Sequence, residues 1–238
     1  MSRTTTRIPL ALTLLAALVG AMLAFTLTSG NAGAERPVAQ PMSSMDMHSM
    51  QMPSPLLRTA KSVAFRQDMR KLWEDHITWT RLAIISLEGA TPDTSATVAR
   101  LLRNQSDIGN AVKPFYGKAV GAKLTQLLRE HILIAADLIG AAKSGDGAKV
   151  NTTQTRWIAN ADDISRALHS VNPRYFPLAA LKDEMHMHLQ LTTQEAVDHL
   201  KGNWAADVAD YDKVHRHILH MADMLSTGII KQFPKRFR

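Results

Sequence analysis

The 238-residue chain has no cysteine. That excludes disulfides and thiolate metal sites, so packing alone must hold the fold, and any soft-metal site must use Met and His. Aromatic residues are scarce, at 5%. The β-branched runs that mark strands are missing as well. No Gly-rich phosphate loop follows a strand, and neither a nucleophile elbow nor a Cys nucleophile is present, so no catalytic residue is assigned and nothing signals an enzyme. No Lys/Arg stripe interleaves with aromatics, which argues against nucleic acid as a partner.

Leu, Ala, Met, Lys and Arg dominate, the composition of a helical protein. Residues 1–34 read as an export segment: "MSRTTTR" is basic, "IPLALTLLAALVGAMLAFTLTSG" is uncharged, and "AGA" offers a cleavage site. About 20 apolar residues can span a bilayer, so an uncleaved anchor in the inner membrane is the alternative to a signal peptide. Either way the remainder is expected to be periplasmic or secreted. Losing residues 1–34 removes Arg3 and Arg7 and no acid, which lowers the formal charge from +7 to +5. The C-terminal "KQFPKRFR" reads as a solvated basic tail with a weak pull to anionic lipid or a partner.

Residues 35–58 carry Pro37, Pro41, Pro53 and Pro55 among Ser and Met and read as a disordered linker. Within it, "MSSMDMHSMQM" holds Met42, Met45, Met47, His48, Met50 and Met52. Residues 59–238 read as one all-α domain, with helices near 60–88, 93–113, 119–143, 148–171, 177–200 and 204–232. The breaks are "GATPDT", "KPFYGKAVG", "KSGDG", "NPRYFP" and "KGN".

The chain also resembles itself. "NQSDIG" matches "NADDIS", and each is followed by a Pro–aromatic break and then a His-bearing helix. His76, Asn104, His131, Asn160 and His188 recur in order, with His spacings of 55 and 57, and a further step of that kind lands near His215 and His217. The expected architecture is therefore a bundle of about six helices, three hairpins in an up-down arrangement.

Helical periodicity aims His76, His131 and His188, with Asn104 and Asn160, at the interior; Glu195 shares the face of His188. One reading is a polar core in which each His bonds an Asn of its hairpin partner. The other is a metal site. "HRHILHMADM" supplies His215, His217, His220, Met221 and Met224, and "EMHMH" adds His186 and His188. Thioether plus imidazole is a donor set for copper, Cu(I) above all. Ferritin-like di-iron sites want Glu-x-x-His, which this chain lacks; Glu74, Glu130, Glu184 and Glu195 sit at other offsets.

From "KLWEDHITWTRL" onward, through "LLRNQSDIGNAVKPFYG", "EHILIAADL", "RWIANADDI", "DYDKVH" and "MADMLSTGIIKQF", the chain resembles an uncharacterised bacterial family of all-helical proteins. Similar sequences are sometimes labelled acetylglutamate kinase or glycosyltransferase, activities that need α/β folds this chain does not encode. The resemblance implies that the inner His/Asn set belongs to the shared fold and the Met/His extras to this chain's own task. Three functions follow as expectations: an exported soft-metal binder, for copper storage, buffering or delivery; a module recognising a protein partner or small ligand; or a ferritin-like oxidase.

Overall fold

A computed structural model describes residues 54–238, and within them the chain is all-helical. The expected export segment, most of the expected linker and its methionines, Met42 to Met52, lie outside the described residues. The last five linker residues do not behave as linker: Pro55–Arg58 forms a 3₁₀ turn, and Leu56 and Leu57 pack on the core.

The helices are α1 (Ala60–Gly89), α2 (Thr94–Ser144), α3 (Gly147–Val171), α4 (Leu178–Leu200) and α5 (Trp204–Gln232). Local chemistry sets the ends. The Thr59 hydroxyl caps α1 by accepting from Ser62 N–H at 3.1 Å, and the Asp146 carboxylate caps α3 by accepting from Lys149 N–H at 3.0 Å. Gly145 ends α2 in the left-handed region at φ 72°.

Five helices stand where six were expected, because residues 94–144 run through "KPFYG" as one element. The whole reversal happens at Gly117, at φ 87° and ψ 169°, a backbone conformation essentially reserved for glycine. The two arms of α2 then pack against each other. Arg129 donates to the Leu102 carbonyl at 3.1 Å. A Cβ on Gly121 would lie 2.6 Å from the Gly109 carbonyl oxygen, so the arms touch backbone to backbone there.

Around the bundle α1 packs on α2, α2 on α3, α3 on α4, α4 on α5, and α5 back on α1. Ile218, Ala161, Ala222 and Ile230 are fully buried between them. Each large aliphatic side chain so enclosed stabilises the fold by about 1.5–3 kcal/mol. At one end the two Pro–aromatic breaks are tied together. Asn172 donates to Tyr116 Oη at 3.2 Å, Tyr116 donates to Gln232 Oε1 at 2.7 Å, and Gln232 donates to the Val171 carbonyl at 2.9 Å.

The C-terminal tail corrects another expectation in part: Lys231, Lys235, Arg236 and Arg238 are exposed, as a solvated basic tail requires, but the aromatic side chain among them is not. Rather than being solvated, Phe237 is buried, lies 5.6 Å from the Phe115 ring in a parallel arrangement, and meets Phe65 at 5.3 Å. Arg236 lies over the Phe115 ring. Three aromatics offset the charges that suggested a free tail. Among the described residues, no helix is long and apolar enough to cross a membrane.

Candidate functional site

The imidazoles of His76, His131, His188 and His217 meet halfway along the bundle axis. His188 is the centre: its ring lies 5.9 Å from His76, 6.2 Å from His131 and 6.2 Å from His217. The first three are buried and His217 is half-buried. Each comes from an apolar helical stripe, which is why periodicity alone found three of them.

A repeated hydrogen-bond motif holds the cluster. Asn104 Nδ2 donates to the Leu72 carbonyl at 3.0 Å, four residues before His76. Asn160 Nδ2 donates to the Leu127 carbonyl at 3.1 Å, four residues before His131. His217 Nε2 donates to the Glu184 carbonyl at 3.0 Å, four residues before His188. The third use of the motif therefore replaces Asn with His, and this substitution adds the fourth ring.

These bonds fix tautomers. Asn160 uses its amide N–H on Leu127, so its Oδ1 faces His131 Nδ1 at 2.8 Å as an acceptor. His131 Nδ1 carries the proton and Nε2 carries a lone pair. Gln105 Nε2 lies 3.1 Å from His76 Nδ1, 2.9 Å from the Leu101 carbonyl and 3.2 Å from Asn104 Oδ1, so its two hydrogens serve three neighbours. Periodicity assigned Asn104 as the partner of His76, and Gln105, the next residue, reaches the ring as well. Two ring nitrogens, His131 Nε2 and His188 Nδ1, are buried and have no hydrogen-bond partner.

Burial keeps the cluster uncharged. It lowers the His76 pKa to about 3, with His131 adding to the effect, and lowers that of His131 to about 4. His188 is pushed well below the usual imidazole range, first by burial and then by the neighbouring rings. His217 is lowered too, mainly by burial. Near neutral pH all four are neutral imidazoles, the form that donates a lone pair to a metal.

The other expected metal ligands scatter. His186 Nε2 pairs with Asp162 on α3 at 3.0 Å, and His215 Nε2 pairs with Glu74 on α1 at 3.0 Å. His220 is exposed and lies 3.3 Å from Glu184. Met221 is buried, while Met224 is half-buried against the core. The helix ending in "HRHILHMADM" thus turns His217 and Met221 inward and His215 and His220 outward. The four acids weighed for a di-iron site also part company: Glu130 is exposed, Glu74 pairs with His215, Glu184 lies 3.6 Å from His217 and 3.3 Å from His220, and Glu195 is buried elsewhere. Among the described residues, no three or more His, Asp or Glu side chains close around a metal position.

One to two turns further along lies a second polar layer that periodicity found only through Glu195. Arg81 donates to Glu195 at 2.8 Å and forms a bidentate pair with Asp207 at 2.7 and 2.8 Å. Burial raises the Glu195 pKa to about 7 despite Arg81, whose charge is shared with Asp207. Glu88 lies 2.6 Å from His199 Nδ1 and is also raised by burial to about 7. Arg81 and Asp207 are 126 residues apart, and no spacing pattern links them.

No family model, curated protein or solved structure matches the chain.

Proposed function

We propose that the protein binds a soft metal ion, with copper as Cu(I) the best-fitting ion, for storage, buffering or delivery outside the cytoplasm. The observation that carries this reading is the pair of bare ring nitrogens, His131 Nε2 and His188 Nδ1, on neighbouring imidazoles in the core. A buried polar atom without a partner costs about 1–3 kcal/mol, and a metal ion ligated by either nitrogen would relieve that cost. Metal-ligating imidazoles characteristically donate their other N–H to an amide or carbonyl oxygen, as His131 does to Asn160 and His217 does to the Glu184 carbonyl. Imidazole suits copper, and Cu(I), a closed-shell ion, needs few donors. The Met42–Met52 segment supplies further thioethers of the right softness.

The test is anaerobic Cu(I) titration of the full chain against a competing chelator. Tight stoichiometric binding is expected, and it should fall at least tenfold in H131Q/H188Q. A chain that binds no Cu(I) refutes the reading. So does an H131Q/H188Q variant that binds as well as the parent once the five methionines of residues 42–52 are Ser in both.

A second reading, a non-metal module for a protein partner or small ligand, draws on the Asn–carbonyl bonds, which make the polar layer a register device for repeated hairpins. Native mass spectrometry of untreated protein separates the two: a bound metal mass supports the first and an organic adduct the second.

A further inference from the structure

Beside the imidazole layer, toward the end tied by Tyr116 and Gln232, the bundle axis opens into a cavity of about 110 Å³. Its wall is almost wholly apolar, but three of its side chains are thioethers: Met69 from α1, Met185 from α4 and Met221 from α5. All three are buried, at 1%, 4% and 3% exposure. Each stands at a helical offset from a ring of the cluster. Met69 is seven residues before His76, Met185 three before His188, and Met221 four after His217. Offsets of three, four and seven share a helix face. Trp73 also lines the cavity and lies 5.6 Å from the His76 ring, so cavity and cluster share a wall. Lys123 and Ser170, both exposed, bring the cavity to the surface.

Size and lining restrict the occupant. At about 110 Å³ the cavity has room for a small occupant. A hard cation would give up its hydration shell there with no oxygen ligands in return. A soft ion exchanges water for thioether at far lower cost, because sulfur is its preferred donor.

We infer that this cavity is a soft-cation site, in which the thioethers of Met69, Met185 and Met221 hold a dehydrated monovalent ion next to the imidazole cluster. The inference rests on the soft-metal reading above and assigns it a second donor set, made of sulfur. Two adjacent sites of different donors give an ion a route: from the surface near Lys123 to thioether, then to imidazole. The competing role of the three methionines is gap-filling, in which Leu would replace them with little effect on anything but packing.

The experiment uses the full chain with Met42, Met45, Met47, Met50 and Met52 changed to Ser, loaded anaerobically with Cu(I). X-ray absorption should show sulfur scatterers near ~2.3 Å beside nitrogen near ~2.0 Å. Adding M69L/M185L/M221L should abolish the sulfur shell and weaken Cu(I) binding at least tenfold. Nitrogen-only coordination, or unchanged affinity in the folded Leu variant, overturns the thioether site and leaves the imidazole reading intact. Absence of any Cu(I) binding overturns both. If the Leu variant does not fold, methyl-Met NMR of its parent, titrated with Ag(I), decides. The Met69, Met185 and Met221 methyl signals should move on binding, and signals that stay in place overturn the site.

Discussion

A carboxylate that loses its guanidinium in this bundle has no water to turn to. Glu195 and Asp207 are 1% and 2% exposed, and Arg81 serves both. Arg81→Ala should therefore destabilise the fold by about 3–5 kcal/mol, the cost of stranding buried charge, as read from urea unfolding. Replacing Arg81, Glu195 and Asp207 together with apolar residues of similar size should cost much less, since no lone charge is left behind. The residue scale is also where sequence reading was most uneven. His76, His131, His188, Asn104 and Asn160 were legible because a polar residue on an apolar stripe has to point inward. Gln105 was not, since it neighbours an equally good amide and only the chain's fold brings a second one to the ring. Arg81 was illegible because a single Arg on a helix looks like any solvated charge until Asp207 is placed opposite it.

Elements were easier to read than their joints. Capping and breaker residues located every helix end except the reversal inside α2, where Pro114 and Gly117 suggested a loop. One glycine is enough there, so two expected helices become one element. At φ 87° and ψ 169° a side chain is strained, yet no atom lies within 4 Å of a Cβ at Gly117. Gly117→Ala should thus cost about 1–3 kcal/mol from backbone conformation alone, without a steric term. Thermal unfolding tests this, and Gly117→Asn should give no rescue, because Asn tolerates positive φ mainly at the ψ of the left-handed helical region and not near 169°. The C-terminal tail was misread in part, for a related reason. Its charges are local information, whereas the stacking of Phe237 on Phe115 depends on chain more than a hundred residues away.

At the scale of the molecule, the buried titratable groups oppose one another. His76, His131 and His188 have lowered folded-state pKa values, so the unfolded chain binds more protons there and stability falls as pH drops below about 6.5. Glu88 and Glu195 are raised to about 7, so their contribution is present at low pH and is lost as pH rises from about 4.5 through 7. Between those limits three imidazoles act against two carboxylates. The net slope is about one proton, or ~1.4 kcal/mol per pH unit, with stability rising with pH. Below about pH 4.5 the carboxylates no longer oppose and the loss should steepen, toward about two protons, because the folded His131 and then His76 begin to take up protons themselves near pH 4 and 3. Urea midpoints measured across pH should peak near pH 6.5. Glu88→Gln should roughly double the slope between pH 4.5 and 6.5.

The chain closes on itself at one end. Thr59 donates its hydroxyl to the Phe237 carbonyl, and Lys61 reaches the Arg238 carbonyl at 2.6 Å. The first helix therefore starts beside the chain's last residue, with Phe65 one turn from Met69 on the cavity wall. Losing Phe237 and Arg238 would therefore strip hydrogen-bond partners from the start of the first helix as well as from the tail itself.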